Sequence, residues 1–272
     1  MFLKIATPVL GPVWLIEFRV LIAGLVLVPV IIWRKEFFHV QKNVGKMLVA
    51  GLFNAALPFS LLAYATLELT AGITSILNAT VPIFGAIFGY VVVKEQLGLG
   101  KSLGIACGFV GVIVLVEPLG SSKVILPVTS VIAGLAAAMS YVIAAYFTKK
   151  YLVNVSPMAY VTGSQLGAAS ILVPLLPFFI PQETPSFEIA SSVLALAVIC
   201  TSLAFAIYFY LIQKAGPTNA MSVAYLIPLF AVFWGSWFLD ETITITTVAG
   251  GLLIMGGTAL ANGILIASAN RS

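Results

Sequence analysis

Residues 82–111, PIFGAIFGYVVVKEQLGLGKSLGIACGFVG, decide the fold because the chain repeats their pattern at 228–257, PLFAVFWGSWFLDETITITTVAGGLLIMGG. The two stretches align without a gap at a constant offset of 146 residues. The identical positions include a proline, a glutamate and three glycines: Pro82, Phe84, Gly89, Glu95, Gly104 and Gly111 recur as Pro228, Phe230, Gly235, Glu241, Gly250 and Gly257. The same offset also pairs Lys4 with Lys150 and Phe59 with Phe205. A constant offset of this kind predicts an internal duplication.

The composition predicts that this duplication lies in a membrane. Charged residues make up 8% of the 272 residues, against about 25% in soluble proteins. Apolar runs of about 20 residues, the length that spans a bilayer, recur along the chain. A soluble domain of this size leaves too much of its surface in water to hide so many of them. We therefore expect an all-α polytopic membrane protein.

The apolar runs predict nine transmembrane helices, which are joined by short connections rich in glycine, proline or charge. The predicted spans are 8–33, 47–67, 72–93, 102–119, 127–147, 157–180, 190–212, 219–239 and 246–268.

The lysines and arginines of the connections predict the orientation. Ten of them fall on one side of the membrane: Arg34, Lys35, Lys42, Lys46, Lys94, Lys101, Lys149, Lys150, Lys214 and Arg271. The opposite side carries two, Lys4 and Lys123. Because positive residues collect in cytoplasmic loops, we expect a multi-pass protein of the cell (inner) membrane with a cytoplasmic C-terminus. The loop at 181–189 is then external.

Orientation and repeat together predict two inverted units. Glu95 falls on the cytoplasmic side and its counterpart Glu241 on the external side, so each unit needs an odd number of spans. The second unit, residues 124–272, has five predicted spans, whereas the first, residues 1–123, has four. Either the protein has nine spans and an external N-terminus, or about 25 to 35 residues with a further span precede Met1. We expect the second arrangement.

Inverted repeats are a recurrent architecture of secondary transporters, whose substrate site lies near the middle of the membrane. Three patterns, Pro-x6-Arg at Pro12–Arg19, TAGITSILNATVPIFGAIFGYVVVKEQL at 70–97 and NAMSVAYLIPLFAVFWGSWFLDETI at 219–243, resemble the drug/metabolite transporter superfamily. Within it the EamA family, with two five-helix repeats, is the most similar. The resemblance implies a ten-helix transporter of small metabolites, often an exporter of amino acids or related compounds. It also implies that the chain lacks the first helix of the family, which helps to enclose the central cavity.

Glu17 and Arg19 are the ionisable pair well inside a predicted span. Two residues apart, they point about 200° away from each other around a helix and cannot pair along one face. A charge at membrane depth usually faces a cavity or a partner. Two interpretations of Arg19 stay open: its guanidinium binds an anionic group of the substrate, or it orders the bundle or reaches outward to the membrane edge.

Further polar residues lie at or near mid-depth of the predicted spans: Asn54, Asn78, Tyr141, Gln165 and Tyr225. With Glu17 and Arg19 they are the candidate substrate-cavity residues, although such groups also hydrogen-bond helices together. Pro82 and Pro228 are candidate helix kinks, because a proline inside a helix removes a backbone hydrogen bond. The carbonyl groups freed there either line a cavity or bond a neighbouring element.

Glu95 and Glu241 each occupy a tight turn just before a predicted helix. We interpret them as structural turn carboxylates that accept from the first N–H groups of the helix that follows. Proton coupling is the alternative for both. The glycines within 104–111 and 250–257 predict close helix contact.

The sequence therefore predicts a secondary transporter, an exporter of a small metabolite such as an amino acid or related compound, that works by alternating access. The alternative is a non-transporting membrane partner or sensor built on a truncated transporter fold. An enzyme is not expected, because the sequence holds no nucleophile–base set and no metal-ligand cluster. We expect no cofactor and no metal. The expected partners are a small-molecule substrate and the lipid bilayer, without nucleic acid; a homodimer stays open.

Overall fold

A computed structural model of the protein describes residues 1–116, 126–181, 184–215 and 223–262, and these residues contain helices and no strand. The α-helices are α1 (Phe2–Trp33), α2 (Phe37–Lys42), α3 (Val44–Gly51), α4 (Leu57–Glu68), α5 (Ala71–Asn78), α6 (Val81–Phe88), α7 (Leu99–Val116), α8 (Val128–Tyr151), α9 (Pro157–Leu172), α10 (Phe187–Leu194), α11 (Ala204–Ala215), α12 (Val223–Leu239) and α13 (Ile245–Ala261). Short π-helical segments lie at Leu52–Ala56, Gly89–Val93 and Ala195–Leu203, and a 3-10 segment at Val173–Phe178.

Seven helical stretches of the described residues are long and apolar enough to cross a membrane. They are Phe2–Trp33, Val44–Glu68, Ala71–Val93, Leu99–Val116, Val128–Tyr151, Pro157–Phe178 and Phe187–Ile212, and the shorter apolar helices Leu226–Leu239 and Ile245–Ala261 follow them. The architecture is that of an all-helical polytopic membrane protein, as the composition predicts. Three predicted spans, 102–119, 219–239 and 246–268, extend in part beyond the described residues.

The first span differs from its prediction because α1 begins at Phe2 instead of residue 8. Gly11 interrupts the helix with φ 72° and ψ 162°. A residue with a Cβ rarely adopts this left-handed φ, so glycine is the residue that permits the bend. Pro12 follows it, and the helix then continues without a further break to Trp33. The Gly11–Pro12 pair therefore bends the span and does not begin it.

Helix starts follow side-chain caps that the sequence supplies. Ser156 caps α9 by accepting from the Ala159 amide at 3.2 Å, with Pro157 at the first helical position. Thr244 caps α13 by accepting from the Thr247 amide, also at 3.2 Å. Such caps satisfy N–H groups that the helix itself leaves unbonded.

The chain divides into two compact units that cut across its sequence order. Unit 1 comprises Glu68–Val142 and Ala224–Ser272, as far as they are described, with Met1. Unit 2 comprises Phe2–Leu67 and Ile143–Val223. Each unit therefore combines helices from both halves of the chain, and the two sequence repeats are not separate compact bodies.

In unit 1, α7 packs along α13 through glycines. A Cβ on Gly104 would lie 2.6 Å from the Gly257 carbonyl oxygen, and one on Gly111 would lie 2.9 Å from that of Gly250. The Cys107 thiol, 3.4 Å from the Leu253 carbonyl oxygen, lies between these two contacts. The prediction that these glycines lie at a close helix contact is confirmed, and the structure adds that the two stretches contact each other. The outer faces of both helices expose apolar side chains such as Leu103 and Leu252, as a lipid-facing pair does.

Two equivalent turns end the helices before α7 and α13. Lys94 and Asp240 both adopt a left-handed conformation, with φ 63° and 51°. The following amides, those of Glu95 and Glu241, donate to carbonyls six residues earlier in the chain, at 3.0 and 3.2 Å. The two turns are related by the offset of 146 residues, so the duplicated sequence produces the same local backbone twice.

In unit 2, α1 packs antiparallel to α9. Leu27 and Ile31 form a buried cluster with Met158 and Val161. α3 also lies against α9, where Gly51 approaches so closely that an added Cβ would be 2.6 Å from the Ala168 amide nitrogen. Small residues at such crossings allow the helix backbones to approach each other.

Candidate functional site

Arg19, in the middle of α1, is held by two other elements of unit 2. Its Nε donates to the Thr201 hydroxyl at 3.0 Å. Its guanidinium carbon lies 3.8 Å from the centroid of the Phe59 ring, a cation–π geometry. Thr201 is fully buried and Phe59 nearly so. A cationic side chain inside an apolar span thus has a polar contact and an aromatic face.

The partners of Arg19 belong to irregular helical segments. Thr201 lies in the π-helical stretch Ala195–Leu203, where its hydroxyl donates to the Leu196 carbonyl at 2.8 Å. Phe59 lies just beyond the other π-helical stretch of unit 2, Leu52–Ala56, which contains the half-buried Asn54. The offset of 146 residues relates these two stretches. Short π-helical segments inside α-helices are frequent at functional sites.

Two predicted polar candidates of unit 2 are fully enclosed. Glu17 is 2% exposed and Gln165 is not exposed. Neither carboxylate oxygen of Glu17 and neither amide atom of Gln165 has a hydrogen-bond partner among the described residues. Buried polar groups in proteins nearly always have such partners, and leaving them unbonded costs free energy. Each of these two side chains therefore marks a place where an additional polar group is expected.

In unit 1 the span Ala71–Val93 is broken near its middle. α5 ends at Asn78 and α6 begins at Val81, with Pro82 in its first turn. The Ile83 amide donates to the Thr80 carbonyl at 2.9 Å, and the Ala79 carbonyl accepts from the Thr258 hydroxyl at 3.0 Å. A neighbouring helix thus satisfies a carbonyl exposed by the break. Asn78 lies at the break, and its buried Oδ1 has no partner among the described residues.

The remaining candidates of unit 1 are less informative. α12 continues through the buried Pro228 without a break, so Pro228 does not repeat the interruption that accompanies Pro82. Tyr141 is half-buried on α8. The backbone of Tyr225 lies in α12, and its side chain is outside the described part of the chain.

The two turn carboxylates have different partners. Glu241 does not cap α13, the helix that follows it; Thr244 does. Glu241 instead accepts from the Ala71 amide at the start of α5, at 2.8 and 3.1 Å to its two oxygens. Glu95 is exposed and lies 3.6 Å from the Lys101 ammonium. The prediction that each glutamate caps its own following helix is therefore wrong for Glu241, because the turn directs its side chain toward a helix distant in sequence.

Several residues of these contacts were missed by the sequence reasoning. Thr201 and Thr258 lie in no quoted motif, and Ala71 lies in the 70–97 pattern without a role of its own. Phe59 had a weak signal, because it is one of the pairs that recur at the 146-residue offset. Thr201 also had a weak signal, because it is a hydroxyl-bearing residue within an apolar run. Long-range partners of this kind become visible only when the helices are assembled.

Comparison with known proteins gives consistent matches along nearly the whole chain. The model of the EamA-like transporter family matches residues 1–117 and 128–263. An "uncharacterized transporter" of Archaeoglobus fulgidus is 25% identical over 93% of this chain and 90% of its own. A "probable amino-acid metabolite efflux pump" of Salmonella typhimurium is 27% identical over 81% of this chain and 78% of its own. A crystal structure with 19% identity shares the fold, with a TM-score of 0.67 over 99% of this chain and 93% of that one.

Proposed function

The chain belongs to the EamA-like transporter family, and from this premise we propose that it is a secondary transporter that exports a small metabolite, such as an amino acid or a related compound. The family and the names of the relatives indicate a membrane transporter and not an enzyme. The name of the Salmonella typhimurium relative supports the substrate class.

The observation that carries the proposal is the presence of buried polar groups without partners inside apolar spans. Glu17, Asn78 and Gln165 each have such atoms among the described residues. A protein with only a structural role gains nothing from leaving them unbonded. A transporter uses a small number of polar groups in apolar surroundings to bind a solute.

Arg19 is the residue proposed to meet an anionic group of the substrate, such as a carboxylate. A guanidinium presents several donors in a rigid plane and suits a carboxylate better than an ammonium does. The Thr201 hydroxyl and the Phe59 ring hold Arg19 in one orientation within its span.

The proposed architecture is a pair of inverted repeats, residues 1–123 and 124–272, with nine spans. The turns at Lys94 and Asp240 support it, because they have the same left-handed backbone 146 residues apart. The contacts of α7 and α13 support it as well, since they are reciprocal under the same offset. Alternating access between two inverted halves is the mechanism that such repeats suit.

The proposed location is the cell membrane, with the C-terminus in the cytoplasm and the loop at 181–189 outside. The support is the excess of lysine and arginine in the connections on one side. Export then carries the solute from the lysine-rich side to the side of the 181–189 loop.

Substrate binding can be tested by thermal stabilisation of the purified protein in detergent, with amino acids of acidic, basic, neutral and aromatic types as ligands. A ligand that binds the folded state alone raises the melting temperature, and the increase grows with the ratio of ligand concentration to dissociation constant. We expect one class to stabilise the protein, and Arg19→Lys to remove that stabilisation. Glu188→Gln, an exposed change on α10, is the matched control and should leave it intact. If no amino acid of any class stabilises the protein, the substrate class is wrong.

A further inference from the structure

Five lysines form an uncompensated basic patch at one end of unit 2. They are Lys35, Lys42, Lys46, Lys149 and Lys150, all exposed, and none forms an ion pair with a described residue. The patch joins the connection after α1 to the end of α8. The Lys46 ammonium, for example, donates to the Tyr151 carbonyl oxygen at 3.1 Å.

The acidic residue within this region is already bonded elsewhere. Glu36 accepts from the Arg34 Nε at 3.1 Å through one oxygen and from the Ser156 hydroxyl at 2.6 Å through the other. Its carboxylate thus fixes the end of α1 to the start of α9 and compensates Arg34. The positive charge of the five lysines therefore remains available to an external anion.

Exposed aromatic side chains accompany these lysines. Trp33, the last residue of α1, is 83% exposed, and Phe38 of α2 is 63% exposed. Val40 packs against the buried cluster of Leu27 and Ile31, which anchors α2. The Lys42 ammonium lies 5.8 Å from the centroid of the Phe38 ring, so an apolar ring and a positive head group stand side by side.

We infer that this basic patch, together with Trp33 and Phe38, binds the phosphate-containing headgroups of anionic phospholipids in the surrounding membrane. Tryptophan at the end of a span prefers the headgroup level of the bilayer. Lysines beside it extend their apolar stems along the membrane and place their ammonium groups at the phosphates. Each such lysine strengthens binding to an anionic membrane by about fivefold.

The lipid headgroup is the occupant that fits the whole surface. An acidic soluble protein would also complement the charge. Binding of such a protein would not, however, explain exposed aromatic side chains directly at the end of a spanning helix. Trp33 and Phe38 require an apolar medium beside the lysines, and the edge of a bilayer supplies both the apolar medium and the anions.

The test uses the tryptophan of the patch as the reporter. Of the four tryptophans, Trp14, Trp234 and Trp237 are replaced by phenylalanine, which leaves Trp33. The full chain is reconstituted in phosphatidylcholine vesicles, and Trp33 quenching by brominated phosphatidylglycerol is compared with quenching by brominated phosphatidylcholine. We expect phosphatidylglycerol to bind beside Trp33 at least about fivefold more strongly, with a preference that falls as salt is added.

Two matched triple variants separate an effect of the positive charges on the lipid preference from an effect of altered folding. Lys35→Gln, Lys42→Gln and Lys149→Gln together should abolish most of the preference, whereas arginine at the same three positions should retain it. Lys94→Gln with Lys101→Gln, which removes two positive charges from unit 1, should leave the preference unchanged. Equal quenching by the two lipids in the unsubstituted protein would overturn the inference. An equal loss with the unit 1 variant would also overturn it, because the preference would then reflect net charge alone.

Discussion

Glu241 accepts two hydrogen bonds from the amide of Ala71, a residue 170 positions earlier, at 2.8 and 3.1 Å. Ala71 begins α5, and a carboxylate at a helix start satisfies an unbonded N–H and favours the helix dipole. Gly235 leaves room for this contact, since a Cβ there would overlap the carboxylate. The second half of the chain thus caps a helix of the first half.

Replacing Glu241 with alanine should lower the free energy of unfolding by about 1.5 to 3 kcal/mol, because a charge-assisted hydrogen bond is lost and the Ala71 amide is left unbonded. Thermal unfolding in detergent measures the change. Glu95→Ala is the matched control at the equivalent position of the first half. Glu95 is exposed beside Lys101, and exposed ion pairs contribute little. Equal destabilisation by the two changes would contradict this role of Glu241.

The neighbouring glycines Gly256 and Gly257 should respond differently to the same small change. A Cβ on Gly257 would lie 2.6 Å from the Gly104 carbonyl oxygen, whereas one on Gly256 would meet nothing within 4 Å. Gly257→Ala should therefore cost about 1 to 3 kcal/mol by overpacking the α7–α13 contact. Gly256→Ala should be neutral or slightly stabilising. Thermal unfolding of the two variants side by side checks this, and similar melting temperatures would show that the packing of α7 on α13 is not as described.

Arg19→Lys should weaken transport at least about tenfold while the protein stays folded, because a lysine has no planar fork for a carboxylate. The same change loses the Nε contact to Thr201, so Thr201→Val is the matched control, which removes this contact and the Thr201 bond to the Leu196 carbonyl but keeps the guanidinium. Initial transport rates and melting temperatures are measured together. If Arg19→Lys and Thr201→Val lower the melting temperature equally, and if transport falls only as far as this loss of stability explains, Arg19 has a structural role.

A single cysteine at Ser186 should react with an impermeant thiol reagent added outside intact cells, because the charge distribution places this residue outside. Cys107 and Cys200 are first replaced by alanine so that the label reports one site. A cysteine at Lys42, in the basic patch, should react only after lysis. The reverse pattern would contradict the proposed orientation and the export direction that depends on it.

The sequence was sufficient to predict that the chain forms apolar helices, but not which residues of different helices contact each other. Apolar length predicted an all-helical membrane protein, and seven helical stretches of the described residues are long and apolar enough to cross a bilayer. The repeat identified the equivalent turns at Glu95 and Glu241. It did not predict that Glu241 would bond Ala71.

The candidate polar residues were equally visible in the sequence, but their environments were not. An arginine inside an apolar run is evident at once, whereas its contacts with Thr201 and Phe59 depend on where three distant helices meet. Pro82 and Pro228 also show that a residue can be evident in the sequence while its structural effect is not. They occupy equivalent positions in the repeat, yet the helix is interrupted before Pro82 and continuous through Pro228.

Solute counterflow tests transport most directly. Proteoliposomes of the full chain are loaded with an unlabelled amino acid, and entry of the same labelled amino acid is followed. We expect transient accumulation of one amino-acid class above the level in protein-free vesicles, reduced at least about tenfold by Arg19→Lys and unchanged by Glu188→Gln. The contradicting result is that amino acids of all four types, acidic, basic, neutral and aromatic, enter no faster than they enter protein-free vesicles. If the reconstituted protein is shown to be folded, that result would contradict the proposed amino-acid export.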